Sequence, residues 1–281
     1  MTREIDEREV ERGGAFPVLK GAFPFRLATT SFILPNAILP NVRFLGPYLD
    51  EVELVLFESG QEENLPTVEE IGEVRRVARE LDLTYNVHLP TDLFLGDPDP
   101  RVRERACRTV LRFYGRTLGL DPTVYILHLD PRSPNGREDP DEEGWLDRTR
   151  RSLQALLGEG MDAGRLAVEN LSYPLERIRP LVEEMGMGYC LDVGHLLRYG
   201  FPVRHHFRTF LGRTSMIHLH GVQDAVDHRG LEWISPRDWD TIREALAGYR
   251  GGVSLEVFSV EDLSTSLSRM AELRDSAIAW P

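Results

Sequence analysis

Acidic and imidazole side chains stand at the ends of apolar segments along much of this chain. In the segment 189–195, an apolar run ends in Asp192, and His195 follows after a glycine. Other apolar segments end in His88, His128, Glu169, His218, His220 and Glu256. Mixed sets of carboxylates and imidazoles bind divalent transition metals. The sequence therefore predicts a metal centre, provided that these segments meet at one edge of the fold.

The size of this set predicts more than one metal ion. A single ion takes only a few protein ligands if it also keeps a position for substrate, so we expect two or three ions. The predicted ligands are His88, His128, Glu169, Asp192, His195, His218, Asp227, His228 and Glu256. Zinc suits this mixture, and manganese or iron would also accept it. Closely spaced ions activate water and clamp the oxygens of a phosphoryl group, so phosphoester hydrolysis is the predicted chemistry.

Several other polar residues have a structural interpretation beside the functional one. His220 shares a strand face with His218, so we expect it to support a ligand as a hydrogen-bond donor. Glu58 follows the second apolar segment and is either a site residue or a charge leading into the next helix, whereas Cys190 is expected in the core. We expect four arginines to lie on a solvated face: Arg198, Arg204, Arg208 and Arg213. We expect His205 and His206 on an outer helix, either solvated or near the substrate.

Apolar segments alternate with amphipathic ones along the chain, which is typical of repeated β/α units. The predicted strands are 25–31, 51–57, 83–88, 123–129, 165–170, 188–192, 215–220 and 253–258. After a short link at 35–48, the predicted helices are 66–81, 101–118, 145–157, 174–185, 195–211 with a break at Gly200 and Pro202, 236–249 and 261–278. Such alternation favours a closed (β/α)8 TIM barrel over an open sheet, and active sites of these barrels lie at the C-terminal strand ends.

Length and charge limit the classes of function. The 281 residues fit one barrel, which we predict at 25–281 after an N-terminal extension at 1–24. The formal net charge of -13 argues against a duplex DNA surface, because such a surface neutralises phosphates with Lys and Arg. Only two cysteines occur, no apolar run is long enough for a membrane span, and the first residues are charged. We therefore expect a cytoplasmic enzyme with a small-molecule substrate and neither membrane nor nucleic acid as partner.

Two long loops follow predicted strands four and seven, on the side where the site is expected. The loop 131–144 is rich in proline and charge, which favours a mobile cover. The loop 221–235 carries Asp224, Asp227, His228 and Trp233. We expect the two loops to form the wall that receives the substrate.

The ordered motifs resemble the xylose-isomerase-like TIM barrels, and within them the endonuclease IV branch with its three-metal site. The matching pieces within 25–273 are His88, His128, Glu169-Asn170, Asp192-Val193-Gly194-His195, Ile217-His218-Leu219, Asp227-His228 and Leu255-Glu256. Sugar isomerases and epimerases of that superfamily need only the matches to Glu169, Asp192, His218 and Glu256, so the extra histidines resemble the phosphodiester-cleaving branch. The endonuclease pattern separates the acid and histidine of the seventh-strand loop by one residue, so either Asp224 or Asp227 fills that ligand place.

The N-terminal segments 25–31, 38–42 and 50–58 resemble the cobamide-remodelling phosphodiesterases, which cleave the nucleotide loop of corrinoid cofactors. The resemblance implies a metal-dependent phosphodiesterase acting on a corrinoid, with Glu169, His220 and Glu256 as its catalytic residues. The enzymatic rival is a sugar isomerase or epimerase in which Glu169 and Glu256 act as paired bases. A non-catalytic ligand-binding barrel is the third class, and we would expect it to have lost ligands.

Overall fold

The protein folds as a closed barrel of parallel strands, as predicted. The structure is a computed structural model that describes residues 16–56 and 65–276. Its strands are β1 Arg26–Thr30, β2 Glu51–Val55, β3 Thr84–His88, β4 Tyr125–Leu127, β5 Leu166–Glu169, β6 Gly188–Asp192, β7 Thr214–Leu219, β8 Gly221–Gln223, β9 Val226–Arg229 and β10 Gly252–Leu255. The barrel closes in the order β1-β10-β7-β6-β5-β4-β3-β2, and β8 pairs with β9 as a separate hairpin. The prediction of a single-domain (β/α)8 barrel is thereby confirmed.

Amphipathic helices surround the strands. They are α1 Ile38–Leu45, α2 Val68–Leu81, α3 Pro100–Thr117, α4 Glu142–Gly158, α5 Arg179–Glu184, α6 Val193–Tyr199, α7 Val203–Phe210, α8 Pro236–Leu246 and α9 Val260–Asp275. The start of α2 is a capping box, in which Thr67 and Glu70 each accept the other's backbone N–H. None of the helices in the described part of the chain has the length and hydropathy needed to cross a bilayer.

Two regions differ from the sequence-based elements. The predicted helix 174–185 begins as the short 3-10 turn Leu175–Arg177, so its α-helical part is only α5. The hairpin of β8 and β9 was not predicted, because its turn places Asp224 and Ala225 at positive φ without a glycine to signal it. The predicted break in the helix after β6 is present, since Gly200 ends α6 at φ 72°.

The barrel interior is apolar on one side and polar on the other. Inward positions on β4 to β7 form a small apolar cluster made of Val124, Ile126, Ala167, Cys190 and Met216. Across the interior, the buried inward positions are polar and include Glu51, Glu53, Asn86 and Ser254. Cys190 is a core residue, as expected from the sequence. The polar side forms a column beneath the C-terminal strand ends.

At the N-terminal end of this column, both carboxylate oxygens of Glu51 accept hydrogen bonds. Its Oε2 accepts from the Arg26 guanidinium at 3.0 Å, from the Thr84 hydroxyl at 2.7 Å and from the Thr123 hydroxyl at 2.9 Å. Its Oε1 accepts from the amide of Asn86 at 2.9 Å. Because the charge meets a guanidinium and both carboxylate oxygens accept hydrogen bonds, this buried acid closes the barrel structurally.

The predicted N-terminal extension, 1–24, is described only from Phe16 onward. Phe16 is buried against Phe44 and Tyr48, and the backbone N–H of Leu19 donates to the carbonyl of Tyr48 at 2.9 Å. The ammonium of Lys20 donates to the carbonyls of Leu81, the last residue of α2, and of Asp82, which follows it. This segment therefore packs on the N-terminal side of the barrel.

Candidate metal centre

The C-terminal strand ends bring most of the predicted site residues together. β3 ends at His88, β5 at Glu169 and β6 at Asp192, while His128 and Glu256 each follow their strands by one residue. His218 lies one residue before the end of β7. Parallel strands of a barrel all finish at one rim, so residues far apart in sequence become neighbours there.

A central group consists of Glu169, Asp192, His218 and Glu256. All are buried, and one potential ligand atom from each lies within 4.8 Å of the others. The Nδ1 atom of His218 is 3.2 Å from Glu256 Oε2 and 3.6 Å from Glu169 Oε2. Among the described residues, neither His218 Nδ1 nor Glu256 Oε2 has a hydrogen-bond partner. A buried carboxylate oxygen and a buried imidazole nitrogen that make no hydrogen bond are suitable ligands for a divalent cation.

A second group, on one flank, consists of His88, His128 and Glu169. The Nε2 atoms of His88 and His128 lie 3.2 and 2.9 Å from Glu169 Oε2. His88 Nδ1 donates to the carbonyl of Leu89 at 2.8 Å, so Nε2 is the ring nitrogen that faces Glu169 and is available to a metal. This hydrogen bond prepares His88 as a ligand that would share Glu169 with the central group.

A third group, on the opposite flank, consists of His195, His220 and His228. His195 Nδ1 donates to the carbonyl of Asn170 at 2.9 Å, and His228 Nδ1 donates to the carbonyl of Glu256 at 3.0 Å. In both rings Nε2 is thus the free nitrogen.

His220 has a different hydrogen-bond pattern within this third group. Its Nδ1 accepts the backbone N–H of His228 at 2.9 Å, so Nε2 carries the hydrogen and donates to Asp192, 3.2 Å away. This is the geometry of a donor that orients Asp192, and the supporting role of His220 stays a prediction. A Cβ on Gly194 would overlap the His220 ring, so only glycine fits at the turn after Asp192.

The hairpin of β8 and β9 places Asp227 and His228 at the rim. Asp227 Oδ2 is 4.0 Å from His195 Nε2 and also accepts from the guanidinium of Arg198. Asp224, the alternative acid, lies exposed at the hairpin turn. Of the two, Asp227 is therefore the acid near the histidines. Arg198 is exposed, as expected from the sequence, and its guanidinium donates to this carboxylate.

The buried carboxylates of the rim are paired with histidines and with no permanent cation of the described chain. Among the ion pairs of the described residues, Glu169, Asp192 and Glu256 have only histidine partners. Burial acts to raise the pKa of Glu169 and of Glu256, but the surrounding imidazoles, His128 and His218 foremost, hold both well below the usual value. Burial acts against a charged His218, yet Cys190 and the carboxylates raise its pKa well above the usual value. Such mutual stabilisation of ions marks a functional site.

Glu53 is a buried acid of this region that the sequence did not reveal as a site residue. It lies in the middle of β2, and its Oε2 is 3.1 Å from His218 Nε2. The acid after the second predicted strand is Glu58, which lies outside the described residues. The signal available in the sequence was Glu51 and Glu53 on one face of an apolar strand, where a charge requires a buried partner.

The outer histidines do not reach the rim. His205 is exposed and its Nε2 is 2.7 Å from Glu176 Oε1. For His206 the expectation of a solvated or substrate-near side chain was wrong, because the ring is buried between Phe201 and Phe210 on the apolar face of α7.

A cavity of about 320 Å³ opens beside the candidate centre. It is lined by Thr91, His128, Asp130, Arg132, Leu171, Ser172, His195 and Tyr199. Arg132 comes from the loop after β4, and its guanidinium forms a two-point hydrogen bond with Asp130. The cavity is therefore lined by one histidine from each flanking group, His128 and His195, and by polar residues that include Arg132 of that loop.

The loop 131–144 is anchored by ion pairs. Arg148 pairs with Asp139, and Arg177 pairs with Glu138 at 2.8 Å and with Glu142 at 3.3 Å. In this structure the predicted cover is therefore fastened to α4 and to the turn before α5.

The chain belongs to the xylose isomerase-like TIM barrel family, whose model matches residues 45–278. A D-tagatose 3-epimerase-like protein superimposes with a TM-score of 0.70 at 17% identity, covering 89% of this chain and 97% of the other. The D-psicose 3-epimerase of Clostridium cellulolyticum H10 gives 0.66 at 17% identity, with coverages of 89% and 94%. The endonuclease SacUVDE gives 0.63 at 12% identity, with coverages of 90% and 100%. No curated protein sequence matches this chain significantly.

These similarities establish the fold and a family of enzymes. At such identities they do not distinguish an epimerase from an endonuclease as the model for this chain. The distinction has to come from the side chains at the rim.

Proposed function

We propose that this protein is a metal-dependent phosphodiesterase. The observation that carries the proposal is the presence of two histidine groups on opposite flanks of the central group of Glu169, Asp192, His218 and Glu256. A single ion would use only the central group. His88, His128, His195 and His228 would then be buried or half-buried imidazoles without a metal to serve, whereas two or three ions employ them all.

Charge balance supports more than one ion. The buried carboxylates that face the site, Glu53, Glu169, Asp192 and Glu256, carry four negative charges when ionised, which two divalent ions balance. Without such cations, this cluster would carry a large desolvation cost. We propose zinc, because imidazole and carboxylate ligands in a compact group suit it, with manganese or iron as alternatives.

The ions would supply activation of water near neutral pH and neutralisation of charge on a phosphoryl group. Glu169 would hold ions of the central group and of the His88 flank, since both groups contain it. Glu256 would connect the central group to His228, whose Nδ1 already donates to the Glu256 carbonyl. His220 would keep Asp192 oriented through its Nε2 hydrogen, and Asp227 would bind on the His195 side, positioned by Arg198.

The finer proposal is that the substrate is a cobamide, cleaved in its nucleotide loop. The resemblance of segments 25–31, 38–42 and 50–58 to cobamide-remodelling phosphodiesterases supports it. A corrinoid is large, so its recognition requires long excursions at the rim. The loop 131–144 and the hairpin loop 221–235, which ends near the half-exposed Trp233, provide them.

The test uses the zinc-loaded protein with an adenosylated cobamide. We expect release of the nucleoside of the lower ligand and formation of a phosphorylated corrinoid. Bis(4-nitrophenyl) phosphate is assayed in parallel, because it reports diester hydrolysis without corrinoid recognition. If the probe is hydrolysed while the cobamide stays intact, the proposal of a cobamide substrate is wrong. If neither diester is hydrolysed, the proposal of a phosphodiesterase is wrong.

A sugar isomerase or epimerase is the second candidate. The central group by itself favours it, because a single ion there would leave Glu169 and Glu256 as paired bases. One metal ion per chain, together with interconversion of ketoses in a panel, would establish this alternative. Two or three ions per chain would speak for the hydrolase.

A further inference from the structure

The two buried glutamates of β2 have opposite surroundings. Glu51 is surrounded by donors from Arg26, Thr84, Thr123 and Asn86. Glu53 is two residues on and on the same face of the strand. Within 16–56 and 65–276 its one ion-pair partner is His218 Nε2, and its Oε1 has no hydrogen-bond partner. A carboxylate buried only for structural reasons would be paired as fully as Glu51 is.

The two ring nitrogens of His218 also face different groups. Nε2 faces Glu53 Oε2 at 3.1 Å, while Nδ1 faces Glu256, Glu169 and Asp192 at 3.2, 3.6 and 3.9 Å. A carboxylate accepts a hydrogen bond from Nε2–H and thereby leaves the lone pair on Nδ1. Both a hydrogen on Nδ1 and a neutral group at position 53 would weaken the ring as a ligand.

We propose that Glu53 is a positioning residue of the metal centre, which fixes His218 with its hydrogen on Nε2 and its ligand atom at Nδ1. Outer carboxylates that hydrogen-bond a ligating imidazole fix its tautomer and orientation and raise its basicity. Glu53 comes from the opposite side of the barrel interior to the apolar cluster of β4 to β7, so it approaches His218 from below the rim. It also adds negative charge to a site that cations would balance.

The inference rests on the proposed metal centre but not on the proposed substrate. Its test is therefore zinc binding, measured by competition with a chromophoric chelator and by elemental analysis. We expect Glu53→Gln to lower the zinc affinity of the site about 10- to 100-fold, because charge is lost while size is kept. Glu53→Leu, which also removes the acceptor, is expected to lower it further. Unchanged zinc affinity in both variants would overturn the role of Glu53.

Glu51→Gln is the matched control, because Glu51 is equally buried on the same strand but contacts no rim residue. We expect it to lower the denaturation midpoint of the metal-free protein and to leave zinc affinity unchanged. Equal losses of affinity in Glu51→Gln and Glu53→Gln would show that general destabilisation, and not positioning, is responsible.

The tautomer of His218 tests the inference without any change at position 53. Long-range ¹H–¹⁵N spectra of the zinc-loaded wild-type protein labelled with ¹⁵N-histidine, assigned with His218→Gln, should show hydrogen on Nε2 and zinc at Nδ1. Hydrogen on Nδ1 would overturn the inference even if Glu53 variants fail to fold. A wild-type protein that binds no zinc, manganese or iron would instead refute the metal centre itself.

Discussion

Buried acids at the two ends of the barrel interior have different kinds of partner. At the N-terminal end, Glu51 meets the guanidinium of Arg26 and neutral donors, so its charge is satisfied inside the protein. At the C-terminal end, Glu169, Asp192 and Glu256 meet imidazoles, and orphaned atoms remain on His218 and Glu256. Burial alone therefore does not identify a site. What distinguishes the rim is that its buried carboxylates pair, in the part of the chain that the structure describes, with histidines and with no arginine or lysine.

Removal of Glu169 should give the largest effect, because the central group and the His88 flank share it. We expect Glu169→Gln to lower diester hydrolysis at least about 10³-fold, more than the 10- to 100-fold typical of outer partners. Elemental analysis should show fewer than the wild-type number of ions per chain. Wild-type metal content in this variant would show that Glu169 is not a metal ligand and that the acids at the two ends of the barrel do not differ in this respect.

Metal removal should lower the stability of the protein, because the rim depends on bound cations to balance its carboxylates. With free metal at about 1,000 times its Kd, each bound ion stabilises the folded state by about 4 kcal/mol. We expect chelation to lower the free energy of unfolding by at least about this amount, measured with urea. The Glu51→Gln variant should lose the same increment as the wild type, since its change lies at the other end.

The His88 flank is tested by replacing its histidines one at a time. We expect His88→Ala and His128→Ala each to lower the metal content by about one ion and to abolish phosphodiesterase activity, because each removes a ligand. His205→Ala is the control, since that exposed histidine pairs with Glu176 away from the rim. An unchanged metal count in both rim variants would favour the isomerase.

The pH dependence of the metal-free protein should also separate the ends. The pKa of His195 and of His218 is raised well above the usual value: burial opposes the charge, but neighbouring groups, Asp192 and Cys190 foremost, outweigh it. Protonation of these rings stabilises the fold below the unfolded pKa of about 6.5, and the contribution is lost as pH rises through the folded values. We expect urea midpoints of the metal-free protein to fall from about pH 6 to about pH 9. A zinc-loaded protein should lack this decline, because ligation replaces the protons.

The smallest effect is expected with DNA. Since the net charge is -13, binding of duplex DNA at about 0.15 M salt should be no tighter than a Kd of about 10⁻⁴ M. Fluorescence anisotropy with a labelled duplex measures it. Tight binding, or efficient cleavage at an abasic site, would make nucleic acid the substrate.

The sequence by itself determined the barrel and most of its rim. Alternating strands and helices require a parallel sheet, and acids or histidines at strand ends then fall on one edge. That logic correctly gathered His88, Glu169 and Asp192 from separate parts of the chain. It works because strand direction fixes which end of each segment faces the site.

Only the tertiary structure decided which atoms face each other. The hydrogen bond from the backbone of His228 assigns the hydrogen of His220 to Nε2, and the hairpin turn separates Asp227 from Asp224. Glu53 and His218 are 165 residues apart, and their contact crosses the barrel interior. Pairing across a closed barrel depends on strand stagger and side-chain direction, which no local pattern encodes. Strand direction in the sequence therefore predicts which residues lie at the rim. The contacts between their side chains depend on how the barrel closes.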